Sequence, residues 1–164
     1  LMTQFKTTYI DLLEDILAEW TAGHEYLGVR QLLETLSQMS DVYLGLITGN
    51  FREAAFIKLK RYNLDKYFCD GGFGSDSAER SEALELAIQR CNDKNGCKYD
   101  KKDIYIIGDS VADIEAGKVN GVGTIAVATG YASRDDLASL KPTILLDDLS
   151  DTNAFLTQVI YDDQ

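Results

Sequence analysis

Two carboxylates four residues apart, Asp109 and Asp113, follow the apolar run Ile104-Tyr105-Ile106-Ile107-Gly108. Held together at the mouth of a sheet, such groups repel unless a cation or a basic side chain lies between them. Oxygen ligands of this kind suit Mg2+, which keeps several waters and takes one or two carboxylates. The plainer alternative makes Asp113 an acid in the first turn of a helix, favoured by the dipole, and Asp109 a turn residue. A second polar cluster, Thr48-Gly49-Asn50, ends the apolar stretch Val42 to Ile47 just before another helix. A hydroxyl and free backbone N–H groups at a helix start make a site for an anion. Here the plainer alternative is that Thr48 caps the helix. Arg80 opens a helix after the loop Gly74-Ser75-Asp76-Ser77. It is a candidate fixed cation to hold a phosphate and to balance Asp109 and Asp113, although most arginines are solvated surface residues.

The elements that must position these groups follow from apolar spacing. Thr3 to Trp20 carries Phe5, Tyr9, Leu12, Leu13, Ile16, Leu17 and Trp20 at helical spacing, with Trp20 read as a packing anchor. A helix is predicted from Val29 to about Met39, then a buried parallel strand at Val42 to Ile47. Further helices are predicted from Phe51 to Arg61 and from Glu79 or Arg80 to Cys91, with a short strand at Phe68 to Phe73 between them. Asn92 to Lys102 is polar, contains Gly96 and reads as a loop. A buried strand at Ile104 to Ile107, a helix from Ile114 and a strand at Thr124 to Ala128 follow. A short helix at Asp135 to Leu140, a strand at Thr143 to Leu146 and a helix from Asp151 close the chain. Strands alternating with helices imply right-handed crossovers and a mostly parallel sheet covered on both faces. Ligands gather at the carboxyl ends of such strands, and Thr48, Asp109 and Thr129-Gly130 all stand there.

Composition narrows the function classes. The 164 residues carry 16 basic and 27 acidic side chains, a formal charge of −11. So acidic a surface repels phosphate backbones, and a nucleic-acid partner is not expected. An anionic small molecule would need a metal or a few focused donors. No apolar run approaches the length that spans a bilayer, so no membrane partner is expected either. Three cysteines at irregular spacing and a single histidine, His24, fit neither a disulfide framework nor a zinc site. They read as thiols in a reducing cytoplasm. Gly121-Val122-Gly123 precedes its strand and so fails as a dinucleotide fingerprint.

Taken together, these pieces resemble the haloacid dehalogenase (HAD) superfamily, and within it the phosphoglycolate-phosphatase-like hydrolases. The resemblance is carried by Leu46-Ile47-Thr48-Gly49-Asn50, Ser75-Asp76 with Arg80, Ile107-Gly108-Asp109-Ser110-Val111-Ala112-Asp113, and Val127-Ala128-Thr129-Gly130. It implies a Rossmann-like α/β core with a mostly parallel sheet, over residues 27–164, and a remnant of a helical cap over residues 1–26. It further implies a Mg2+-dependent hydrolase of a small phosphorylated metabolite. Thr48 would hydrogen-bond the phosphoryl group with help from Gly49 and Asn50. Arg80 would neutralise nucleophile and phosphate where the family more often carries lysine. Asp109 would be a Mg2+ ligand, and Asp113 a second acid at the metal that holds its waters or the basic residue.

One part of the pattern is missing. The family's Asp-x-Asp, nucleophile and general acid/base at the end of the first strand, occurs nowhere among these residues, and Asp11 and Asp15 have the wrong spacing. Leu1 preceding Met2, and a first segment that resembles the last cap helix, lead to the expectation that this pair and its strand lie upstream. The chain alone would then lack turnover. Two alternatives stand beside this: a non-catalytic phosphate- or metal-binding module, and a metal-free dehalogenase, for which the Asp109/Asp113 pair has little use.

Overall fold

The structure, a computed structural model, describes residues 2–19 and 23–161; Trp20 lies outside them. The helical stripe at the amino terminus forms α1 (Met2–Glu19), followed by α2 (Val29–Ser37). Then come β1 (Gly45–Thr48), α3 (Arg52–Arg61), β2 (Asp70–Phe73) and α4 (Arg80–Asn95). The remainder alternates regularly: β3 (Tyr105–Gly108), α5 (Val111–Asn120), β4 (Gly123–Val127), α6 (Arg134–Ser139), β5 (Ile144–Leu146) and α7 (Thr152–Leu156).

Two boundaries differ from expectation for local reasons. The polar stretch after Cys91 does not begin a loop, because α4 continues through Asn95 before Gly96 ends it at φ 64°. A helix already nucleated extends by one backbone bond per residue and needs no apolar side chain on its outer turn. Helix α5 begins three residues before the expected Ile114, because Ser110 caps it and accepts a hydrogen bond from the Asp113 N–H.

Every strand pairing is parallel, and the fold is α/β. The strands form two sheets, β1-β2 and β3-β4-β5. On one face of β4, Ile125 and Val127 pack with Leu32 and Leu36 of α2 and with Phe155 and Leu156 of α7. On the other, Ala126 packs with Ile114 of α5 and Leu137 of α6. Ile125, Ala126, Ile114 and Leu137 are fully buried, so this three-layer stack is the core. Helix α4 bridges the two sheets. Its Leu84 and Ile88 pack with Ile106 of β3 and Ala116 of α5, and also with Ile47 of β1.

The two strands predicted to be buried are only partly so. Gly45 is exposed, Leu46 to Thr48 are half-buried, and Ile107 of β3 is 41% exposed. Each of β1 and β3 has a hydrogen-bonded neighbour on one side only, which leaves an open edge beside each. Among the described residues no helix is long and apolar enough to cross a membrane.

The turn leaving β2 is pinned by charge. Arg90 of α4 donates through Nη1 and Nη2 to Asp76 at 2.6 and 2.8 Å, and through Nη1 to the Gly71 carbonyl at 2.8 Å. The Arg90 hydrogen bonds, opposed by burial and reinforced by the Phe73 N–H, hold the Asp76 carboxyl below the ordinary aspartate range. A depressed folded-state value stabilises the fold above the unfolded pKa, and that stabilisation is lost as pH falls through the folded value. Arg90→Met should therefore cost about 1 kcal/mol at neutral pH. It should also show a shallower loss of stability than the parent as pH falls below about 4, read by urea unfolding across an acid series.

The three cysteines are free thiols. Cys69 and Cys91 nevertheless touch, with Sγ atoms 2.8 Å apart, and burial together with Cys69 pushes the Cys91 thiol up to about 12.

Candidate functional site

The exit of β3 builds one half of the site. Asp113 is 8% exposed and both its carboxylate oxygens are engaged. Oδ1 pairs with Arg80 Nε at 3.1 Å, and Oδ2 accepts the Ser110 hydroxyl at 2.6 Å. Gly108 is required here, since a Cβ on it would lie 2.4 Å from Asp113 Oδ2. Asp109 differs. It is half-buried, and its carboxylate makes no hydrogen bond or ion pair among the described residues. It packs on Gly130 at the end of β4, where a Cβ would come within 2.3 Å of Asp109 Oδ2.

That packing makes a prediction. Gly130→Ala should push the Asp109 carboxylate from its place at a cost of about 1–3 kcal/mol. Any divalent-cation affinity at Asp109 should weaken with it, measured by calorimetric Mn2+ titration.

The exit of β1 builds the other half. Thr48 Oγ1 accepts from Asn50 twice, from the backbone N–H at 3.2 Å and from Nδ2 at 2.7 Å. Asn50 Oδ1 in turn accepts from Lys58 Nζ at 2.7 Å. Helix α3 begins at Arg52 with Phe51 as its N-cap and no side-chain cap, so Thr48 is not the helix cap. Gly49 is exposed, with nothing within 4 Å of where a side chain would begin, while its carbonyl lies against Gly74.

Arg80 joins the β3 half from a third element. It is the first residue of α4, enters from the β2 turn and reaches across to Asp113 at the head of α5. The structure thus joins Arg80 to Asp113 and Thr48 to Asn50, and among the described residues leaves the Asp109 carboxylate without a polar partner and Thr48 without a direct contact to it. A cleft of about 380 Å³ lies elsewhere, lined by Glu14 of α1 and by Phe56, Lys60 and Arg61 of α3.

A metal here would rest on few protein donors. Among the described residues no three acidic, cysteine or histidine side chains cluster as a ligand cage. The residues still fit Mg2+, which needs one or two carboxylates and keeps the rest of its shell as water or substrate oxygen. Asp109 supplies a half-buried carboxylate with no competing cation. Asp113, already paired and hydrogen-bonded, stands behind it.

Lys58 escaped the sequence reading. A lysine midway along an amphipathic helix reads as a solvated charge, and only its spacing of eight residues after Asn50 could have drawn attention to it. Other residues took ordinary places. Ser133 and Asp151 cap α6 and α7, Asp147 pairs with Arg134, and Tyr131 is fully exposed. His24 is exposed with its ring against Tyr26.

Comparison with known proteins agrees with this architecture. The sequence profile of the HAD-hydrolase-like family matches residues 80–152, which run from Arg80 through Asp109, Asp113 and Gly130. The pyrophosphatase PpaX of Listeria welshimeri is 29% identical over 136 residues, 80% of this chain and 59% of that protein. The phosphoglycolate phosphatase of Synechococcus elongatus is 27% identical over 133 residues, 81% of this chain and 59% of its own length. Among solved structures, YfnB of Bacillus subtilis, a candidate HAD-hydrolase described as bound to magnesium, superposes with a TM-score of 0.62 at 20% identity. That match covers 79% of this chain and 54% of the other. The chain spans about three fifths of the length of the curated relatives it matches.

Proposed function

On the premise that the chain is a relative of the HAD-like hydrolases and has their fold, we propose that it is the larger part of a Mg2+-dependent phosphatase core. Its substrate is a small phosphorylated metabolite and not a nucleic acid, in keeping with the charge of −11 and a site that offers only a few focused donors. The reducing cytoplasm is the compartment that three free thiols suit. The observation that carries this reading is the contrast at the β3 exit: Asp113 paired with Arg80, and Asp109 half-buried with no partner among the described residues.

In this reading Thr48 donates its hydroxyl proton to a phosphoryl oxygen, with the exposed Gly49 beside it. Arg80, paired to Asp113 through its inner Nε, directs its outer nitrogens at the remaining oxygens and fixes the phosphoryl group in position. Asp109, with Asp113 four residues on, would hold the metal, which when bound would offset negative charge on the phosphoryl and leaving oxygens. An aspartate from outside these residues attacks phosphorus. The second aspartate of the Asp-x-Asp pair gives its proton to the departing alcohol and takes one back from the water that cleaves the acyl phosphate to free carboxylate and inorganic phosphate. Charge neutralisation and positioning supply most of the rate, because phosphate monoesters are very slow to hydrolyse unaided.

The place for that aspartate is supported by the sheets. The open edges of β1 and β3, both packed under α4, suit one further parallel strand between them. Such a strand would end level with Thr48 and Asp109. The preceding residues 1–26 belong, on this reading, to a helical cap, and α1 shows the exposed Phe5, Leu12 and Ile16 of a surface built to be covered.

The 164-residue chain given p-nitrophenyl phosphate and Mg2+ is expected to release no nitrophenolate. Turnover that Asp109→Ala abolishes would place a nucleophile within these residues and overturn that part of the proposal.

A further inference from the structure

We infer that Lys58 is a positioning residue that sets the Thr48 hydroxyl as a hydrogen-bond donor to phosphate, an inference that rests on the phosphate-holding role proposed for Thr48. The chain of contacts runs from Lys58 Nζ to Asn50 Oδ1 at 2.7 Å, and from Asn50 Nδ2 to Thr48 Oγ1 at 2.7 Å. A lysine ammonium only donates, so it must face the oxygen of the Asn50 amide. That orientation turns the amide nitrogen, also a donor, toward Thr48. The Asn50 backbone N–H reaches the same oxygen at 3.2 Å.

Thr48 Oγ1 therefore receives two N–H groups, and both of its lone pairs are used. What remains is its own proton, which points away from Asn50 and is available to an anion at the exit of β1. Remove Lys58 and the Asn50 amide is free to rotate. Its oxygen can then face Thr48, and the hydroxyl proton goes to that oxygen instead of to phosphate. The geometry favours a specific role over a solvated charge: Lys58 is half-buried, whereas Lys60 two residues on is exposed.

The test uses the full-length protein, with inorganic phosphate as the probe in calorimetry and p-nitrophenyl phosphate for steady-state rates. Lys58→Met is expected to weaken phosphate binding about tenfold, the size of one hydrogen bond to a charged group, and to raise KM more than it lowers kcat. Thr48→Val should weaken phosphate by a similar or greater factor. The double variant should bind phosphate no more weakly than Thr48→Val alone, because Lys58 acts only through that hydroxyl. Lys58→Arg, which still offers only donors to Asn50, should recover most of the affinity. Asn50→Asp gives a second route if Lys58→Met does not fold, since a carboxylate draws the Thr48 proton to itself and phosphate affinity should fall as in Thr48→Val. Phosphate affinity within twofold of the parent in Lys58→Met, or losses that multiply in the double variant, would overturn the inference while leaving the phosphate site intact. A Thr48→Val protein that binds phosphate as the parent does would overturn the phosphate reading itself.

Discussion

Asp109→Asn in the full-length protein is expected to lower kcat toward phosphate monoesters by about 10³-fold or more. The substitution is nearly isosteric, so the side chain still lies against Gly130. It breaks no ion pair, because Asp109 has none among the described residues, and thermal stability should shift by no more than about 0.5 kcal/mol. What it removes is the carboxylate charge at the β3 exit that stands apart from the Arg80–Asp113 pair. Excess Mg2+ should not restore the rate, since a neutral amide is a poor partner for a hard cation. A rate within tenfold of the parent, with stability unchanged, would show that Asp109 is a turn residue and nothing more.

Arg80→Met should have the second largest effect, and on two observables at once. Activity should fall by about 10²–10³ in kcat/KM, the size seen when a fixed donor to developing charge is lost. Stability should fall as well, by about 1–3 kcal/mol, because Asp113 is left buried with only Ser110 to satisfy it. Arg80→Lys separates the two. A lysine keeps the charge beside Asp113 and so keeps most of the stability. It lacks the planar fork that pairs with one oxyanion while presenting further N–H groups to another, so activity should lie between parent and methionine variant. Chemical denaturation and steady-state kinetics on the three proteins decide it. Stability loss without activity loss in Arg80→Met would assign the pair to folding alone.

These expectations draw on parts of the molecule that differ in how openly the sequence displays them. Thr48 and Asp109 stand where an apolar run gives way to a polar one, Asp113 follows one helical turn on, and Arg80 opens a helix after a glycine- and serine-rich loop, so local pattern singles them out as candidates. The strand and helix order is legible for the same reason, from Val29 to the end of α7. Contacts made across the fold are not. Nothing near Asp109 in sequence announces that Gly130 lies against its carboxylate. Nothing near Lys58 announces that its ammonium turns the Asn50 amide. The division of the strands into two sheets is likewise non-local: Val42 to Ile47 and Ile104 to Ile107 read as fully buried, and only the pairing shows that each has an open edge. Helix α4 outruns its apolar pattern because its last turn needs backbone bonds alone.

The proposed chemistry depends on a divalent cation captured at the β3 exit beside an anion held at the β1 exit. Crystals of the full-length protein grown with Mn2+ and orthovanadate test it most directly, through the anomalous signal of the metal. The account predicts a single strong peak within coordinating distance of Asp109 Oδ, with vanadate oxygens in hydrogen-bond reach of Thr48 Oγ1 and the outer nitrogens of Arg80. A metal found elsewhere, with Asp109 turned to solvent and Thr48 facing packed side chains, would contradict it.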